Sequence, residues 1–98
     1  MTQIFISYSR RDLGFVEQLA SDLKEAGLDV WYDLSDLVGG TRWRIEIENA
    51  IRISQHVVMV LSPDSVGSEW VEREYLFANN LKKNIVPILY RPCDLPLY

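Results

Sequence analysis

Glu74 is the acidic residue of this chain that its local pattern explains least. Between Ser68 and Lys82 the apolar residues Trp70, Phe77, Ala78 and Leu81 recur at helical spacing and form one stripe. Glu74 falls inside that stripe, whereas Glu69 and Glu72 fall outside it. Glu69 also sits in the expected first turn, where the helix dipole favours an anion. A buried carboxylate without a partner is costly, so the fold must pair it, protonate it or use it. Two readings follow. Glu74 reaches past the stripe edge to an arginine or a backbone amide, or it acts on a ligand.

The elements around it decide where such a ligand could sit. Ile4, Phe5 and Ile6 form a continuous apolar run, the mark of a strand covered on both faces. Asp12 can cap a following helix whose apolar positions are Val16, Leu19, Ala20, Leu23 and Ala26, with Gly27 closing its C-terminus. Leu28–Tyr32 predicts a second strand, and Asp33–Gly40 a loop freed by Gly39 and Gly40. A second helix carries Trp43, Ile47, Ala50, Ile51 and Ser54 on one face. Val57–Leu61 is a third buried strand, broken by Ser62, Pro63 and Asp64. Ile85–Leu89 is a fourth, and Pro87 within it removes a ladder donor, which marks an atypical or edge strand.

Strands alternating with helices imply parallel pairing through right-handed crossovers. The expected fold is therefore α/β, a flavodoxin-like doubly wound parallel sheet with helices on both faces. Residues 1–98 are expected to form a single domain. Such a sheet calls for one more helix and a fifth strand after Ile85–Leu89. The apolar end from Cys93 to Tyr98 is thus read as a domain cut short or continuing elsewhere.

In open sheets of this kind, ligands bind outside the carboxyl ends of the strands, where strand order reverses. The first turns of the Glu74 helix look into that crevice. Ser7, Tyr8 and Arg10 follow the first strand, Asp33 the second and Ser62 the third. A carboxylate, a guanidinium, hydroxyls and the aromatics Tyr8, Trp43 and Trp70 would converge there. Each also has an ordinary structural role open to it. Tyr8, Trp43 and Trp70 serve equally as core aromatics. Asp33 could cap or brace its loop, and Ser7 and Ser62 are read as turn or cap hydroxyls.

Composition narrows the classes. Apolar residues make up 48% and charged residues 24%, a globular balance. The net charge of −4 argues against nucleic acid, which needs a positive footprint. No apolar run approaches the roughly 18 residues that span a membrane, and the start MTQIFISYSRRD lacks a signal-peptide pattern. Cys93 is the only cysteine and is read as inert; His56 is the only histidine, so no metal site is expected. A reducing, cytoplasmic setting fits. The chain has no GxGxxG after its first strand, no P-loop, no HExxH and no GxSxG. A receiver-type acidic pair after the first strand is absent too.

Four ordered segments resemble TIR domains of the prokaryotic type. Phe5-Ile6-Ser7-Tyr8-Ser9 followed by Asp12 is similar to their first signature. Val30-Trp31-Tyr32-Asp33, then Leu37, Gly39, Gly40 and Trp43, resembles their second strand and BB loop. Leu61-Ser62-Pro63 with Ser68-Glu69-Trp70-Val71-Glu72-Arg73-Glu74 resembles their "LSP…SxWVxxE" segment, and Ile85-Val86-Pro87-Ile88 their fourth strand. The "RDxxPG" loop of animal receptor adaptors is absent.

The resemblance implies hydrolysis or cyclisation of NAD+, bound as substrate with no separate cofactor. It puts the essential glutamate at Glu74, the nicotinamide-stacking aromatic at Trp43, and substrate contacts at Tyr8, Ser9, Arg10 and Asp33; Trp70, placed in the same crevice by the fold, is read as a further substrate contact. It further implies that a neighbouring TIR domain completes the site, so that activity depends on self-association. Microbial defence by NAD+ depletion, or signal transduction, would be the setting. A non-catalytic TIR–TIR adaptor and a cyclase or base-exchange enzyme stand as alternatives.

Overall fold

The structure, a computed structural model, describes residues 4–32 and 41–93, with side chains from residue 45 onward in the second stretch. The predicted loop 33–40, with Asp33, Gly39 and Gly40, and the apolar end 94–98 lie outside the described residues.

The elements run in the order β1 (Ile4–Ser7), a 3-10 turn (Arg10–Asp12), α1 (Leu13–Glu25), β2 (Val30–Tyr32) and α2 (Thr41–Ile53). There follow β3 (His56–Leu61), α3 (Pro63–Val66), α4 (Glu69–Asn80) and β4 (Asn84–Leu89). Their strands form a parallel sheet in the order β2-β1-β3-β4. This is the doubly wound order that the alternation of elements predicts, and β1 and β3 lie at its centre. All four residues of β1 are buried, as a strand covered on both faces requires.

The pleat sorts the apolar runs onto the two faces. Phe5, Val57, Met59 and Leu61 point to α2 and α4, where they pack with Ile47, Ala50, Ile51, Val71 and Ala78. Ile4, Ile6, Val58 and Val60 point the other way and meet Val16 and Ala20 of α1. The predicted faces of the first two helices hold at Val16, Ala20, Ile47, Ala50, Ile51 and Ser54, all buried; Ala26 is exposed. Gly27 takes φ +90°, the left-handed conformation that ends α1, and its N–H bonds back to the Lys24 carbonyl at 3.0 Å.

Ser62, Pro63 and Asp64 break β3 after Leu61, as expected, and Ser62 also caps the short α3 with a reciprocal capping box involving Ser65. Two local expectations need correction. The buried line of α4 is Val71, Glu74 and Ala78, while Trp70 and Phe77 are half-buried and Leu81 is exposed. Val71 and Ala78 are the α4 residues fully buried against the sheet. Asp12 precedes α1 but makes no side-chain cap there; its carboxylate is drawn into a charged network instead. Ser9 is the residue that caps the 3-10 turn, accepting from the Arg11 N–H at 3.4 Å.

Pro87 lies in β4, an edge strand among the described residues, opposite Met59 of β3. A missing ladder donor costs little on an edge. Val86 and Leu89 of the same strand are exposed.

Candidate active site at the carboxyl end of the sheet

Ser7 is the last residue of β1, and its side chain shares the face of Phe5, toward α4. Glu74, in the second turn of α4, arrives opposite it. The Ser7 hydroxyl donates to Glu74 Oε1 at 2.7 Å, and both residues are buried, Glu74 at 6% exposure. This bond fixes one oxygen of the carboxylate and leaves the group at the border of a cavity. Ser7 was expected as a turn or cap hydroxyl; it is instead a buried strand residue paired with the acid. The signal that could have identified it is parity. A serine sharing the inward face of an apolar strand needs a buried partner.

The cavity has a volume of about 300 Å³. Tyr8, Ser9, Arg10 and Arg11, which leave β1 and enter the 3-10 turn, line one side of it. Ser68, Trp70 and Glu74 from the start of α4 line another, and Ile6 also borders it. Ser68 caps α4 by accepting from the Val71 N–H at 3.2 Å, so the positive end of the helix dipole is directed to the same place. Tyr8 is 7% exposed and packs edge-on to Tyr32, with centroids 6.2 Å apart. It is therefore both a core aromatic and a wall of the cavity. A second opening of about 640 Å³ lies between α2 and α4, bordered by Ile47, Ile51, Arg73 and Phe77, and it too includes Trp70 and Glu74.

Of the residues named from sequence, Tyr8, Ser9, Arg10, Trp70 and Glu74 come together around the smaller cavity. Asp33 lies outside the described residues. Trp43 lies within the backbone of α2, but its side chain is outside them. His56 and Cys93 are elsewhere. His56 Nδ1 meets the Asn84 amide at 2.8 Å, and Cys93 is half-buried against the α2/α4 core.

Beneath the arginine-bearing turn lies a charged network that the spacing does not announce. The Asp12 carboxylate, 2% exposed, accepts from Ser62 Oγ at 2.5 Å and from Arg91 Nη2 at 2.6 Å. Ser62 thus caps α3, as expected of a cap hydroxyl, and also holds Asp12. The same Arg91 nitrogen lies 3.4 Å from Asp64, whose other oxygen is 3.8 Å from Arg11 Nε. The hydrogen bond to Asp12 holds the Arg91 guanidinium above its ordinary pKa, against the opposing effect of desolvation, and the charge of Asp12 and the neighbouring Tyr90 and Asp64 add to it.

Chemically, the cavity offers an oriented carboxylate, aromatic walls and cations at the rim. It suits a ligand with a cationic or electron-poor ring at one end and phosphate at the other.

The TIR-domain family model matches residues 4–97. A protein of Acinetobacter baumannii named 2' cyclic ADP-D-ribose synthase is 34% identical over 93 residues, which cover 90% of this chain and 35% of that protein. An NAD(+) hydrolase of Paracoccus denitrificans is 33% identical over 93 residues, 90% of this chain and 31% of the relative. The chain thus spans about a third of the length of these relatives. Among solved structures, the TIR domain of a Toll-related receptor from Hydra magnipapillata superposes with a TM-score of 0.85 at 28% identity, covering 99% of this chain and 77% of that one. The β2-β1-β3-β4 order and the family match along nearly the whole chain agree, and this protein belongs to the TIR-domain family.

Proposed function

We propose that this domain cleaves the bond between nicotinamide and ribose in NAD+, with Glu74 as its catalytic residue. The observation that carries this reading is the buried Glu74 carboxylate, held by Ser7 at 2.7 Å and opening on a cavity rimmed by Arg10 and Arg11. The names of the two bacterial relatives support the same substrate.

The chemistry needs little more than that carboxylate. As the C1′–N bond breaks, the pyridinium nitrogen takes the bonding electrons and nicotinamide leaves neutral, so no general acid is required. Positive charge builds on the ribose, as in glycoside hydrolysis. Glu74 stabilises that charge or holds the ribose hydroxyls. Water then adds to C1′ and releases a proton, giving ADP-ribose. Capture by a hydroxyl of the same molecule would give a cyclic product instead; the name of the Acinetobacter relative is in line with that outcome and the name of the Paracoccus relative with hydrolysis. Arg10 meets the pyrophosphate, Trp70 and Trp43 stack on the ring, and Tyr8, Ser9 and Asp33 complete the contacts. A neighbouring TIR domain covers the ligand, so specific activity rises with self-association. The setting is a cytoplasmic signalling or defence protein; among the described residues no helix is long and apolar enough to cross a membrane.

The test is NAD+ consumption by concentrated protein, with chromatography of the products. Free nicotinamide with ADP-ribose identifies a hydrolase, and free nicotinamide with a cyclic nucleotide a cyclase. A folded, self-associating sample that leaves NAD+ intact would transfer the assignment to a TIR–TIR scaffold.

Ser7→Ala should retain the fold and lower kcat about tenfold to a hundredfold, since a hydrogen bond to a charged group is worth roughly 1.5–3 kcal/mol and 1.4 kcal/mol is a factor of ten. Steady-state rates beside a thermal melt check this. Unchanged kcat would remove Ser7 from the machinery.

A further inference from the structure

We propose that Asp12 and Arg91 are positioning residues for the phosphate-binding end of the site, acting through the turn that carries Ser9, Arg10 and Arg11. This rests on the assignment of NAD+ as the ligand.

The turn is short, three residues between β1 and α1. Two contacts within it, Arg11 N–H to Ser9 Oγ and Asp12 N–H to Ser9 O at 2.8 Å, close it but do not attach it to the sheet. The Asp12 side chain ties it to two further strands. Its carboxylate reaches the end of β3 through Ser62 and the segment after β4 through Arg91. Arg91 is itself held to the sheet, because its N–H and that of Tyr90 both bond to the Leu61 carbonyl, at 3.3 and 2.9 Å. One buried carboxylate therefore joins the ends of three central and edge strands directly under the residues that rim the cavity.

Stability alone is a poor reason for this arrangement. A buried ion pair loses about as much in desolvation as it gains in attraction, and apolar packing often does as well. What a charged clasp contributes is a defined geometry. Here it defines where the Arg10–Asp12 turn sits. The network also orients Arg11, whose Nε is 3.8 Å from Asp64, the second acid sharing Arg91. Arg11 and Arg91 together balance the charges of Asp12 and Asp64.

The consequence is a division of labour. Glu74 and Ser7 lie on α4 and β1, and the bond between them shares no residue with the Asp12–Ser62–Arg91 network. Loosening it should weaken capture of the diphosphate and leave bond cleavage intact.

The test uses the full chain with Arg91→Gln and Arg91→Lys, measuring kcat and KM for NAD+ and, by calorimetry, the Kd for ADP-ribose. Arg91 is partly exposed, which favours folding of both variants, and circular dichroism checks it. Arg91→Gln is expected to raise KM for NAD+ and Kd for ADP-ribose about tenfold with kcat within about twofold. Arg91→Lys, which keeps the charge but not the planar fork, should recover part of that loss. If either folded variant binds ADP-ribose as the parent does, or loses kcat with KM unchanged, the proposal is overturned; should Arg91→Gln fail to fold, Arg91→Lys decides by the same criteria. A parent that binds ADP-ribose but does not consume NAD+ would defeat the enzymatic assignment while the binding comparison still judges the clasp.

Discussion

The Glu74→Gln protein is expected to fold normally and to lose NAD+ cleavage by a factor of roughly a hundred to ten thousand, the range seen when a group that stabilises transition-state charge or handles a proton is removed. The shape of the side chain is conserved, and the amide oxygen can still accept from the Ser7 hydroxyl that now lies 2.7 Å from Oε1. What disappears is the negative charge opposite the developing oxocarbenium. Folding should change by no more than about 1 kcal/mol, because the weaker hydrogen bond is offset by burying an amide in place of a carboxylate. The pair of measurements is nicotinamide release and a denaturant melt on the same sample. Glutamine retaining near-parental turnover would exclude Glu74 as the catalytic residue. Lost turnover together with a collapsed melt would make its role structural.

Phe5→Ala should destabilise the domain by about 3–5 kcal/mol, the usual cost of truncating a fully buried phenylalanine. Phe5 has no exposed surface, sits in the central strand β1 and joins the α2/α4 core. Its ring also stacks on Trp31, with centroids 5.2 Å apart and planes 12° from parallel, a pairing worth about 0.5–1.5 kcal/mol within that total. Against a whole-domain stability of about 5–15 kcal/mol, this is a large fraction. In a domain of this size the melting temperature should fall by roughly 15 °C or more. Thermal unfolding followed by circular dichroism checks it, and a fall under about 5 °C would mean that the β1 core is packed less tightly than its burial indicates. Phe5 neighbours Ser7 on the same strand face, so Phe5→Ala should also disturb the Ser7–Glu74 bond. Its effect on activity therefore cannot be assigned to chemistry, which is why Glu74→Gln carries that question.

The two kinds of site information differ in range. Glu74 was legible because a carboxylate within an apolar helical stripe violates a pattern of only a few residues. Pro87 was legible for a similar reason, and β4 is an edge strand of the described sheet. Tyr8, Ser9, Arg10 and Trp70 follow from the rule that a doubly wound sheet gathers its strand ends, and they line one cavity. Ser7 was visible but misread, since its partner is 67 residues away. Asp12 was misread more fully. A local signal made it a helix cap, whereas an arginine 79 residues later and a serine 50 residues later claim its carboxylate.

The amino-acid order by itself determines the period and type of each element, and through them the parallel sheet and the edge at which a ligand can bind. The period and type of an element depend on residues a few positions apart. The tertiary structure alone decides which polar groups meet inside: Ser7 with Glu74, and Asp12 with Ser62 and Arg91. It also decides that α4 presents Val71, rather than Leu81, to the sheet. Buried polar groups must find partners wherever the register brings them, and strand order, not local spacing, sets that register.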